Sequence, residues 1–175
     1  MQSENLTSVS SRKKMPENQQ ERLKNIGWIV GYTDGEGCFS VSMFRNKKTR
    51  YGWQVFPEFV VTQGKKSLNS LEFIQKFFGC GKIFINRRRD NHREDIYRYC
   101  VRSIKDIDEK IIPFFSENSL RTEKKKDFEL FVKIIKLMLK QEHYNLKGLK
   151  KVANLIQRMN RKKPSKFLES SETTR

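Results

Sequence analysis

The hydrophobic positions of this chain change period several times, and each change marks an element. Leu23, Ile26, Ile29 and Val30 are spaced for one face of a helix that ends near Gly35 and Gly37. Phe39, Val41 and Met43 then alternate with Ser40, Ser42 and Phe44, the period of a half-buried strand. A basic turn over 45–52 leads to a second strand over 53–63, with Val55, Phe59 and Val61 on one face and Gln54, Glu58 and Val60 on the other. Pro57 lacks a ladder donor, so it predicts an edge or a bulge there. Leu68, Leu71, Ile74 and Phe78 form a helical stripe that stops at Gly79. Ile83 and Ile85 alternate with Lys82, Phe84 and Asn86 in a third strand opened by Gly81. After a polar turn over 87–93, Tyr97, Tyr99 and Val101 alternate with Arg98, Cys100 and Arg102 in a fourth. A short helix over 106–112 is expected to end at Pro113, and two longer helices follow over 122–141 and 145–160.

The order α-β-β-α-β-β followed by helices predicts an α+β fold: one four-stranded antiparallel sheet backed by helices on one face. Residues 1–18 and 164–175 read as tails, the second with Phe167 and Leu168 as an anchor, and 19–163 as a single domain. The open face of the sheet would carry Ser40, Ser42, Gln54, Lys82, Asn86, Arg98 and Arg102. Its turns would add Arg45, Lys47, Lys48 and Arg50 on one hairpin and Arg87, Arg88 and Arg89 on the other. A sheet face of this width and polarity suits the DNA major groove, although polar residues also line any solvated face.

Charge narrows the choice. The 175 residues carry 37 Lys and Arg against 20 Asp and Glu, a formal +17, which calls for a polyanionic partner. Thirteen Phe argue for a folded basic domain rather than a basic tail. No run approaches the roughly 18 apolar residues of a membrane span, and the first twenty residues have no apolar core of a secretory signal. Cys38, Cys80 and Cys100 form no CxxC, so neither a disulfide framework nor a cysteine zinc site is expected. Two histidines leave almost no material for histidine chemistry.

The segment richest in chemical content is Ile29-Val30-Gly31-Tyr32-Thr33-Asp34-Gly35-Glu36-Gly37. A helix end runs into a carboxylate flanked by glycines, and a strand follows at once. Gly31 and Gly35 lie four apart, where missing side chains let another backbone approach. This stretch resembles the signature of the LAGLIDADG homing endonucleases. Ile29 stands for Leu and Val30 for Ala, and Gly31 matches. Tyr32 and Thr33 replace two apolar residues, Asp34 matches, Gly35 replaces Ala, Glu36 takes the acidic position and Gly37 matches. The order of elements after it is similar to that family's core, so the resemblance spans about residues 20–160.

What the resemblance implies is a site-specific double-strand DNA endonuclease, intron-encoded, that hydrolyses phosphodiester bonds in a long, partly palindromic target. One copy of the signature implies a homodimer, with Val30, Gly31, Asp34 and Gly35 at the helix contact and Asp34 capping the partner's helix. Glu36 would bind a divalent metal with the Gly35 carbonyl as second ligand. Mg2+ is the expected ion and Mn2+ a substitute. Gln63 would order water and Lys124 would be the basic active-site residue, with Lys125 as its alternative. A further basic position falls on Ser67, leaving Lys65 or Lys66 to take that role. The implied location is with DNA in a prokaryotic cytoplasm or an organelle, without secretion or a membrane. Intron RNA is a secondary partner. A maturase or regulator of the same fold is the alternative, and a general RNA-binding protein, stacking bases on Phe44, Phe56 and Phe84, is a third reading.

Overall fold

The computed structural model describes residues 17–87, 95–159 and 165–172. Helix α1 (Glu17–Glu36) runs without a break into β1 (Gly37–Arg45). Strand β2 (Trp53–Gly64), α2 (Leu68–Phe78), β3 (Lys82–Asn86) and β4 (Ile96–Val101) complete the α-β-β-α-β-β order. The strands form one antiparallel sheet in the order β1-β2-β4-β3. Then come α3 (Ile104–Asp106), a π turn (Ile107–Ile111), α4 (Ile112–Glu117), α5 (Lys124–Leu139), α6 (Leu146–Ile156) and α7 (Lys166–Glu172).

Period and burial agree along the strands. Phe39, Val41, Val55, Phe59, Val61, Tyr99 and Val101 are buried beneath the helices. Phenylalanine fills the space between the layers. The Phe39 ring lies 5.0 Å from Phe59, 5.3 Å from Phe115, 5.0 Å from Phe128 and 5.5 Å from Phe131. These stacked, edge and tilted contacts each add to the apolar burial that holds the layers together. Helix α2 stops where expected, because Gly79 takes the left-handed conformation (φ 57°) that closes its last turn.

Pro57 lies in a strand that is central by topology, yet β4 pairs with β2 only over Phe59–Gly64. Pro57 is opposite Val41 and has β1 as its single neighbour, so locally it is at an edge. Pro113 departs from expectation. It does not end the helix, which continues through it to Glu117 with Phe115 in the core. The π turn immediately before Pro113 shifts the backbone bonding out of the four-residue ladder that a proline ring disrupts. The segment expected as a C-terminal tail carries α7, whose Phe167 is buried with its ring 5.4 Å from Trp53. At the other end, Glu17 and Asn18 already belong to α1. The rest of the expected N-terminal tail lies outside the described residues.

Candidate active site and nucleic-acid face

The end of α1 sits at one end of the sheet. Gly37 is paired with Val61, so Gln63, two residues on and one before the end of β2, lies at the same end as Glu36. The turn from helix to strand is tight. A Cβ on Gly37 would come within 2.6 Å of the Thr33 methyl and 2.9 Å of the Thr33 carbonyl oxygen. Glu36 is left exposed, and its carboxylate makes no hydrogen bond or ion pair with another described residue.

Asp34 points the other way. Its carboxylate accepts from the Arg121 N–H (2.8 Å), the Thr122 N–H (3.3 Å) and the Thr122 hydroxyl (2.7 Å). It therefore ties α1 to the start of this chain's own α5, not to a partner's helix. Burial alone would raise the Asp34 carboxyl, but these three donors and the Lys124 charge outweigh it and hold the group below its ordinary value. The sequence gives no sign of this link, because the partners lie 87 and 88 residues away.

Lys124 opens α5 and is delivered to the same place. Its ammonium donates to the Asp34 carbonyl at 2.6 Å and the Gly35 carbonyl at 2.7 Å. These carbonyls are at the α1 C-terminus, where the helix dipole favours a cation. Lys125 is exposed, so of the two lysines it is Lys124 that reaches the α1 tip. Ser67 precedes α2 without a capping bond, and Lys65 and Lys66 are exposed on the short turn before it. Glu36 and the Gly35 carbonyl are hard oxygen donors, and the carbonyl already attracts a cation in the form of the Lys124 ammonium. That donor set fits Mg2+, which completes its shell with water and phosphate. Among the described residues no three Asp, Glu, His or Cys cluster as a metal site, so one chain offers two donors and no closed cage.

Tyr32 and Thr33, the two departures from the signature, have separate surroundings. Tyr32 stacks on Trp28 at 4.6 Å. Thr33 is fully buried, and its hydroxyl has no hydrogen-bond partner among the described residues. Gly31 and Gly35 are exposed, and a Cβ on either would meet nothing within 4 Å. Gly27 is equally open and four residues earlier, a third member of the row that the signature alone did not reveal. Val30, also expected at this contact, is partly buried and packs in part against the chain's own core.

The strand register puts Ser40, Ser42, Gln54, Lys82, Asn86 and Arg98 on the sheet face away from the helices, and Arg102 extends the same row beyond β4. Phe44, Phe56 and Phe84 share it. Lys47, Lys48 and Arg50 are exposed on the β1–β2 turn, and Arg87 follows β3. Gln54 already accepts from the Asn46 amide at 2.6 Å. Arg45 is opposite Trp53 and lies 4.4 Å over its ring, on the helix side. Arg88 and Arg89 lie outside the described residues. At the centre of the face is an acid that patterning did not single out. Glu58 is 7% exposed and accepts from Arg98 Nη2 at 2.7 Å and Arg102 Nε at 2.5 Å. The hydrogen bond to Glu58 raises the Arg102 pKa above its usual value. Burial pushes the neighbouring Cys100 thiol up to about 11, which suits a packing residue rather than a reactive one.

Comparison with known proteins gives a consistent picture. Residues 29–135 match the family model described as LAGLIDADG endonuclease. A probable intron-encoded endonuclease of Neurospora crassa is 34% identical over 135 residues, 76% of this chain and 24% of that protein. The chain spans about a quarter to a third of the length of the intron-encoded relatives it matches. Among solved structures, the homing endonuclease I-TnaI superposes with a TM-score of 0.74 and 34% identity, covering 86% of this chain and 97% of that one. I-SmaMI bound to an uncleaved DNA target in the presence of calcium gives 0.73 and 36%, covering 83% of this chain and 48% of that one.

Proposed function

The chain belongs to the LAGLIDADG endonuclease family, and we propose that it is an intron-encoded, site-specific double-strand DNA endonuclease acting as a homodimer on a long, partly palindromic target. The observation that carries this reading is the α1 tip. An exposed Glu36 carboxylate and the Lys124 ammonium converge at one end of a basic sheet. Each element has a task in phosphodiester hydrolysis. The sheet face and the 45–52 turn hold the duplex through phosphate and base contacts. Glu36 supplies a carboxylate oxygen at the cleavage site, an acceptor for a cation or for the protons of the attacking water. Lys124 offsets charge that builds on the phosphate oxygens, from a position already set by two carbonyls. Gln63 lies near the end of β2 on the same side and orients water through its amide. Glu36 and Gly35 would hold Mg2+, or Mn2+ in its place. When bound, the ion supplies charge stabilisation and a more acidic water.

The open row Gly27, Gly31 and Gly35 supports the homodimer. A second copy of α1 can approach it closely and bring a second Glu36 beside the first. Two such sites suit two strands. No described helix is long and apolar enough to cross a membrane, and the +17 charge supports a location beside nucleic acid, in a prokaryotic cytoplasm or an organelle. The test is incubation of the purified chain with a plasmid library of randomised or intron-flanking inserts, in Mg2+ and in EDTA, beside Glu36→Gln. Discrete linear products that need Mg2+ and disappear in the variant are expected. Binding without cutting would move the assignment to a maturase or regulator. Cutting that survives Glu36→Gln would displace the active site.

A further inference from the structure

The carboxylate in the middle of the basic sheet face has no part in the chemistry above, and on electrostatic grounds it opposes DNA binding. Its geometry shows what it does instead. Glu58 is buried at the base of the face and holds two guanidiniums at once. Arg102 is gripped by Nε, which leaves its two terminal nitrogens outside the Glu58 bond, with the Cys100 side chain also beside the guanidinium. Its guanidinium carbon lies 4.7 Å from the Phe84 ring centre and 5.4 Å from that of Phe56. Arg98 is gripped by Nη2 and keeps Nε and Nη1. Both arginine side chains remain more than a third exposed, 35% and 39%, so the clamp fixes them without covering them.

An unclamped arginine samples many rotamers and meets any phosphate in reach, a contact that carries no sequence information. A clamped one is committed to one direction and has part of its charge offset. Counterion-driven attraction falls, while the directed hydrogen bonds of the free fork remain. Two terminal N–H groups of one guanidinium match the O6 and N7 acceptors of guanine in the major groove. We infer that Glu58 is a specificity-determining positioning residue: it gives up general DNA affinity to hold Arg98 and Arg102 ready for base edges, with Arg102 reading a guanine. The inference rests on the DNA-reading role proposed for the sheet.

The test uses the full chain with a randomised duplex pool under non-cleaving conditions. Retained sequences are compared for wild type, Glu58→Gln and Arg102→Lys, with a thermal melt of each. Wild type should select a sequence with a guanine that Arg102→Lys loses. Glu58→Gln should keep the rest of that sequence but weaken the guanine preference by about tenfold, the size of one bidentate base contact. It should also bind unrelated DNA more tightly, with a steeper salt dependence. An undiminished guanine preference in Glu58→Gln overturns the inference while leaving the DNA-reading role intact. Uniform loss of preference at every position together with a lowered melt also overturns it, because Glu58 is then only structural. If wild type selects no sequence at all, the DNA-reading role fails and the inference falls with it.

Discussion

Replacing Asp34 with asparagine removes one of the two oxygens that join α1 to the start of α5. In the native chain Oδ2 takes the Arg121 N–H, while Oδ1 takes both donors of Thr122. The amide keeps one acceptor and sets its own N–H groups against the remaining backbone donor. Hydrogen bonds to a charged acceptor contribute roughly 1.5–3 kcal/mol and neutral ones nearer 1 kcal/mol, and water can reach this partly exposed site. The expected loss is therefore about 2 kcal/mol near neutral pH, a fall in Tm of roughly 4–8 °C for a domain of this size.

The pH dependence gives the sharper test. The folded carboxyl is held below its ordinary value of 3.8, so its stabilising effect is complete above that value and is lost as pH falls through the lowered folded one. Urea unfolding of both proteins along an acid series should show the gap between them closing at that acid end. The same variant should also lose cleavage activity, because the α5 start that Asp34 anchors carries Lys124. A gap that stays constant across the acid limb, or one no larger than experimental scatter at neutral pH, would refute the assignment of Asp34 as the link between the helices.

Three further predictions concern α1 and the lysine that meets its tip. Thr33→Val keeps the shape of a buried side chain but removes its unpartnered hydroxyl, so urea titration should show a gain of about 1 kcal/mol. A loss would mean that the hydroxyl has a partner in solution. Gly31→Leu should have opposite effects on the two levels of structure. The monomer fold gains about 0.5–1 kcal/mol from helix propensity, because a Cβ there meets nothing, while sedimentation shows the dimer shifted to monomer. An unchanged dimer places the interface elsewhere. Lys124→Met should lower the single-turnover cleavage rate by about a hundredfold, the scale of one lost charge-stabilising donor, with target affinity nearly unchanged. Wild-type rates would show that this ammonium only caps α1.

What could be read from the sequence and what could not divide along a physical line. Alternation and helical spacing report burial against a core that each residue meets locally, so Phe39, Val41, Leu71, Ile74, Tyr99 and Val101 were placed correctly. The glycine cap at Gly79 belongs to the same class, since a left-handed residue ends a helix by itself. The signature pointed to Glu36 at the helix tip, whereas the register of α5 left Lys124 and Lys125 open, and it is Lys124 that reaches that tip. Pro113 misled because a proline in a helix is judged against a four-residue ladder, and the π turn before it is invisible in a hydrophobic pattern. Asp34 and Glu58 were illegible for a deeper reason. Each is an acid whose role is set by partners far along the chain, at separations of 87 and 88 residues for one and 40 and 44 for the other.

Under the proposed function, those two acids would let one basic chain separate cutting from reading. A +17 protein that left every cation free would bind any nucleic acid through phosphate alone. Here the acids act as local restraints. Asp34 fixes the backbone that brings Lys124 to the α1 tip, and Glu58 fixes the guanidiniums on the sheet. Neither needs to touch the ligand to matter. Glu36, in contrast, is left without a restraint among the described residues and stands exposed between two glycines, which leaves it open for the role proposed for it. In a highly basic domain the partner of each acid is therefore the sharper guide to function. An acid paired within the fold positions a cation, and an acid left open at a helix tip is the one available for chemistry.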